Sequence, residues 1–424
     1  MNTKVLKSLI GMVCFAMMAA ASAMASDTVK IAYIDPLSGP FAAVGDSGYR
    51  HFQYNAELIN AKGGVLGGKK LEIVAFDNKI SAKESLIQLK NAIDQGIQII
   101  IQGNGSSVAG ALISAIEKHN NRNPDKPVVY LNFAAIDPAF TNEKCSFWHF
   151  RFDASVDMKI AAITDYIKET PKIKKVYLIN QDYVFGHSVS SSAKAMLAEK
   201  CPKVEIVGDT FTPLGKVKDF SPYIAKIKAS GADTIITGNW GADMSLLVKA
   251  GKDAGLNVRY LTLYGNGLGA PRAIAEAGID KLVTVVEWHI NLSVEENKPE
   301  DEKFFLDYQK KYSNDGEMPY YYGRARTTME MLADAINKAG TDNPRAIAFA
   351  LEGMEHDTPY GKVQMRSQDH QLIQPLYLAV YAKADGGSVK YDSENTGIGF
   401  KTIKRIEGEA TAMPTTCQME RPEK

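Results

Sequence analysis

The chain has no excess of either charge: Lys plus Arg and Asp plus Glu both number 49 in 424 residues. That balance excludes a global pull toward nucleic acid or an acidic membrane surface and leaves a small or locally recognised partner. Chemistry-bearing motifs are missing too. The seven histidines, at 51, 119, 149, 187, 289, 356 and 370, lack metal-ligand spacing. No Gly-x-Ser-x-Gly elbow, phosphate loop or Cys-x-x-Cys pair occurs. No enzyme, metal or cofactor is therefore expected. Gly265-Asn-Gly-Leu-Gly269 resembles a dinucleotide loop only superficially, because the third-glycine spacing is absent and no first strand-helix unit begins there. It reads as a loop that needs a flexible backbone.

One apolar run stands out, at the start. Lys4 and Lys7 form a basic beginning, Leu9 to Ala21 is apolar, and Ala23-Met24-Ala25 places small residues where a signal peptidase reads. The run falls short of the ~20 residues a membrane span requires. A signal peptide over residues 1–25, cleaved after Ala25, and residence in the periplasm are the expectation. Cys14 lies inside this run, behind a poor lipidation box. Its removal leaves Cys145, Cys201 and Cys417. In an oxidising compartment two would pair and one stay free. The sequence leaves the pairing open; Cys145 with Cys417 is preferred because it would tie down the C-terminal tail.

Past the leader, strand-like and helix-like patterns alternate. Val29 to Asp35, Lys70 to Asp77, Ile97 to Gln102 and Pro127 to Phe133 read as strands. Between them Gly45 to Ala61, Ala82 to Gln95 and Val108 to His119 read as helices, the first closed by Gly63-Gly64. The same grammar restarts after Arg151 and runs to Leu263. Strands separated by helices mean crossover units and parallel sheets covered on both faces. Helical patterns at 300–312, 323–339 and 344–351 have no parallel strands of their own and are expected to return to the first domain. The fold class is α/β, with two doubly wound parallel-sheet lobes joined by a multi-strand hinge. The expected division is 28–151 with 289–374, and 152–288 with 375–424.

Open α/β sheets hold ligands at the carboxyl ends of their strands, so two facing lobes make a cleft. Its loops include Gly103-Asn-Gly-Ser-Ser107, whose amides and hydroxyls suit a carboxylate at a helix start. Ser106 and Ser107 also read as simple N-caps.

The sequence resembles the periplasmic leucine/isoleucine/valine-binding family of ABC-transporter receptors. The resemblance is carried by Ile34-Asp-Pro-Leu-Ser-Gly-Pro40 with Gly45-Asp46, Ile59-Asn-Ala-Lys-Gly-Gly-Val-Leu-Gly-Gly68, Ala134-Ala135 with Pro138, Gln181-Asp-Tyr-Val-Phe-Gly186 and Ala254-Gly255-Leu256. It implies a type I periplasmic binding protein that closes on a small-molecule ligand and presents it to ABC transporter permease subunits. A monomer with no nucleic-acid partner is expected. Carried over by position, the family's carboxylate loop falls on Gly105, Ser106 and Ser107. Its ammonium-binding carbonyls fall on Ala134 and Ala135, and a hydroxyl residue of the family on Ile136. Aromatic positions fall on Phe185 and Trp240, an N-terminal tyrosine on Val44, and an acidic residue on Tyr264.

Ile136 and Tyr264 depart from the pattern, since neither can pair with a zwitterion. An unpaired buried charge typically costs roughly 3 to 5 kcal/mol, so the expected ligand is a small apolar or aromatic carboxylate. A free branched-chain or other amino acid, with Asp137 or Asp243 swinging in as counter-charge, is the alternative. A sensory ligand-binding role for a membrane receptor is the second.

Overall fold

Strand β1 (Thr28–Asp35), β2 (Lys70–Asp77), β3 (Ile99–Gln102), β4 (Val129–Asn132) and β5 (His149–Arg151) form one sheet of order β2-β1-β3-β4-β5. All four of its pairings are parallel. The computed structural model describes residues 28–278, 281–312 and 320–424; the leader with its Ala25 cleavage site, and Pro319, lie outside them. Central strands here are apolar on both faces because helices cover both: every residue of Ile99–Gln102 and Val129–Asn132 is buried. The crossovers are the helices Ala42–Ala61, Ala82–Asp94 and Ser106–Arg122. Gly63 and Gly64 follow the first of them with φ of 107° and 70°, the left-handed termination expected of that pair.

A second sheet contains β6 (Lys175–Gln181), β7 (Glu205–Thr212), β8 (Thr234–Thr237), β9 (Arg259–Thr262) and β10 (Leu282–Val286). Its parallel part has the order β10-β9-β8-β6-β7, which repeats the topology of the first sheet. Two glycines mark the repeat. A Cβ on Gly45 would meet the Pro36 carbonyl oxygen at 1.7 Å, and one on Gly186 would meet that of Gln181 at 1.8 Å. In each lobe the first crossover helix thus presses on the carboxyl end of the first strand, and no side chain fits between.

The second sheet is extended by antiparallel strands that the sequence patterns did not reveal. β14 (Leu376–Lys383) pairs with β10, and β15 (Ile398–Ile406) pairs with β14. β11 (Glu355–Thr358), β12 (Gly361–Met365) and β13 (Leu372–Ile373) make a small separate sheet. The helix Tyr322–Ala339 packs on Ala42–Ala61, and Pro344–Leu351 contacts β4, so the late helices do return to the first sheet. Residues after Met413 run back to the same side. Thr415 donates to the Thr141 carbonyl at 2.5 Å, and Cys417 is bonded to Cys145. Cys201 is free and buried. No helix of the described residues is long and apolar enough to cross a membrane.

Candidate functional site

In a sheet of order 2-1-3-4-5, crossovers leave the first and third strands in opposite directions, and a crevice opens between their carboxyl ends. In the first lobe that point lies between Asp35, which ends β1, and Gln102, which ends β3. Asp35 is fully buried and gathers the loop beyond β3 around itself. The Asn104 amide donates to Oδ1 at 3.0 Å and the Asn104 side chain to Oδ2 at 2.7 Å. Tyr33 donates its hydroxyl at 2.9 Å, and Gln102 its amide at 3.4 Å. Burial pushes the Asp35 carboxyl up to about 6, against those hydrogen bonds. Tyr321 closes the network by donating to Asn104 Oδ1 at 2.6 Å. Gly105 follows with φ of 91°, and the helix Ser106–Arg122 starts there without a side-chain cap. The Val108 and Ala109 amides both donate to the Gly105 carbonyl at 3.0 Å, so the donors this helix start offers an anion are the Ser106 and Ser107 amides.

The second lobe repeats the arrangement. Gln181 at the end of β6 donates to Asp243 Oδ2 at 2.7 Å and to the Trp240 carbonyl at 3.2 Å. This places Trp240 at the second crevice, where its indole donates to the Tyr183 hydroxyl at 2.9 Å. Between the two crevices is a small cavity. One wall is Asn104, Gly105, Ser106, Ala134 and Ala135. The other is aromatic: Tyr183, Phe185, Trp240 and Tyr264, with Tyr320 and Tyr321 at the side. Among the described residues, no acidic side chain lines it. The lobes touch across this space, for the Tyr264 hydroxyl donates to the Ala134 carbonyl at 3.3 Å and Ser188 to Asp137 at 3.1 Å.

Seven of the positions singled out in the sequence therefore come together: Gly105, Ser106, Ala134, Ala135, Phe185, Trp240 and Tyr264. Ser107 and Ile136 do not. Ser107 is exposed on the outer side of its helix. Ile136 turns into the core, and its carbonyl accepts the Val156 amide at 3.0 Å. Val44 is likewise a core residue. The Ala135 carbonyl is occupied by the Asn132 side chain at 2.8 Å. Asp137 and Asp243 are committed elsewhere. Asp137 accepts from the Ala139 amide at 3.2 Å, and Asp243 accepts from the Gly215 amide at 2.9 Å.

Sequence reasoning missed Asn104, Tyr183, Tyr320 and Tyr321 as wall residues. The run Tyr320-Tyr321-Tyr322 is the signal the sequence offers for two of them. A buried ion cluster behind the wall was also missed: Lys159 on the helix Val156–Lys168, Arg324, Asp153 and Glu287. Burial pushes the Asp153 carboxyl above its ordinary range, against the Arg324 guanidinium and the Lys159 ammonium. Burial would raise Glu287 as well, but the Lys159 ammonium and Arg324 guanidinium overcome it and hold that carboxyl below its ordinary range. Among the described residues no cluster of His, Cys, Asp and Glu could hold a metal.

Comparison with known proteins agrees with this architecture. The periplasmic binding protein family pattern matches residues 28–387. A Leu/Ile/Val-binding protein homolog 4 of Brucella abortus is 33% identical, covering 97% of this chain and 98% of its own. The closed crystal structure of a leucine-, isoleucine-, valine-, threonine- and alanine-binding protein from Brucella ovis superposes with a TM-score of 0.80 at 32% identity, over 93% of this chain and 100% of that one. A solute-binding protein of an R. palustris ABC transporter, in complex with 4-hydroxybenzoate, shares the fold with a TM-score of 0.76 at 22% identity, over 90% of this chain and 97% of that one. The chain belongs to the periplasmic binding protein family, of the branched-chain amino-acid ABC-transporter type.

Proposed function

We propose that this protein captures a small apolar or aromatic carboxylate between its lobes and delivers it to the permease subunits of an ABC importer. One observation carries the reading. The cavity joins a helix start and the Ser106 hydroxyl to a wall of aromatic rings, and among the described residues no acidic side chain lines it. The amide end suits a carboxylate, the rings suit an apolar or planar remainder, and an α-ammonium would find no counter-charge. Gly105, Ser106, Ala134, Ala135, Phe185, Trp240 and Tyr264 are the binding residues in this reading. Closure follows a population shift, in which ligand contacts from both walls favour the form where they face each other. Export by cleavage after Ala25 places the protein in the periplasm, where its permease can reach it.

The second reading is a free branched-chain amino acid, favoured by the names of the Brucella relatives. Mass spectrometry of ligand released from freshly purified protein separates the two. A carboxylic acid without an amino group is expected; leucine, isoleucine or valine in stoichiometric amount would overturn the carboxylate reading.

A further inference from the structure

Two buried carboxylates stand just behind the cavity wall, and each is matched by a cation. Lys159 Nζ lies 3.0 Å from Asp153 Oδ1 and also contacts Glu287 Oε1. Arg324 Nη1 lies 2.6 Å from Asp153 Oδ2, and its Nε 3.7 Å from Glu287 Oε2. The exposure of these four side chains is 1%, 0%, 7% and 3% for Lys159, Asp153, Glu287 and Arg324. The cations rest directly on the wall: Lys159 is 4.7 Å from the Tyr264 ring centroid, and Arg324 is 4.9 and 5.0 Å from those of Tyr320 and Tyr321. Of the carboxylates, Asp153 reaches the wall through the Tyr264 hydroxyl at 3.3 Å, while Glu287 lines a second cavity on the far side, next to Trp288 and Tyr360.

We propose that Lys159 and Arg324 are specificity-determining residues: by neutralising Asp153 and Glu287 and placing positive charge behind the tyrosine wall, they make the site favour a carboxylic acid over the α-amino acid with the same side chain. The inference rests on the carboxylate reading above and explains how that selectivity is built. In a buried setting such charges are weakly screened, so the ammonium of an amino acid meets two cations across one layer of rings.

The test uses matched ligands that differ in the α-ammonium alone: 4-methylpentanoate against leucine, and 3-phenylpropionate against phenylalanine. Calorimetry gives the ratio of amino-acid Kd to acid Kd for wild type, Lys159→Met, Glu287→Gln and the double variant, with thermal melts confirming that each is folded. A single charge change at this range is expected to shift the ratio by about tenfold. Lys159→Met removes one of the two cations behind the wall and lowers the ratio. Glu287→Gln keeps the side-chain shape, leaves a cation in excess and raises it, so the test survives even if Lys159→Met does not fold. The double variant returns toward wild type. A wild type that prefers the acid, with folded variants of unchanged ratio, overturns this inference alone. A wild type that prefers leucine overturns the carboxylate reading and this inference with it.

Discussion

The rings of Phe41 and Trp240 meet across the cleft with centroids 4.5 Å apart, one from each lobe. Trp240 is thus both a wall of the cavity and a contact made only when the lobes are together. Its removal costs ligand contact and closure at once. Trp240→Ala is expected to weaken ligand binding by roughly 30-fold or more, the range of an interface hot spot. Ser190→Ala, which removes a buried hydroxyl donated to Asp209 at 2.7 Å, touches stability and leaves affinity within about threefold. Calorimetry on both variants checks this, and equal losses would show that the pocket is elsewhere.

Ser106 is the side-chain donor on the anion side of the cavity. A hydrogen bond to a charged group contributes about 1.5 to 3 kcal/mol. Ser106→Ala should therefore weaken a carboxylate ligand about tenfold to 100-fold, while the neighbouring Ser107→Ala, on an exposed side chain, should change nothing. A titration of the two variants with the same acid decides it.

Much of this was legible in the sequence, for a physical reason. Parallel strands buried on both faces leave unbroken apolar runs such as Ile99 to Ile101, and several crossover helices run into a glycine, as at Gly63, Gly96 and Gly231, so strands β1 to β4 and β6 to β9 declared themselves. β5 is short, and β10 pairs antiparallel with a partner distant in sequence, Val283 with Val380; no local pattern announces that. The site split the same way. Ser106, Ala134 and Trp240 sit on strand-end loops, where topology alone puts ligands. Lys159, Arg324, Asp153 and Glu287 read one by one as ordinary surface charges on helices and loops, and only the fold buries them together.

Asp35 gives a pH signature. Its folded value of about 6 lies above the ordinary 3.8, so the folded state holds a proton that the unfolded chain has released. Between those values stability contributed by this group falls as pH rises. At about 1.4 kcal/mol for each pH unit of difference, the loss approaches roughly 3 kcal/mol. Asp35→Asn lacks this slope, so urea unfolding at pH 4 and pH 7 should show the variant gaining on wild type as pH rises. A constant difference between them would contradict the assignment.

Cys145–Cys417 ties the tail to the first lobe across a separation of 272 residues. A native disulfide typically contributes about 2 to 4 kcal/mol. Cys417→Ser should lower the unfolding free energy by that order and expose the tail to a glutamate-specific protease at Glu420, beside Arg421, whose guanidinium now holds Glu352 at 2.6 Å. Unchanged urea midpoints and an uncut tail would show that the other bonds suffice.

The measurement closest to the central claim is calorimetric titration of ligand-free protein with leucine, isoleucine and valine beside benzoate- and cinnamate-type acids. A cavity with a helix-start anion site, a wall of rings and no acidic side chain in its lining predicts heat and saturation with the acids, and weak or no response to the amino acids. Tight leucine binding with no response to the acids would contradict it.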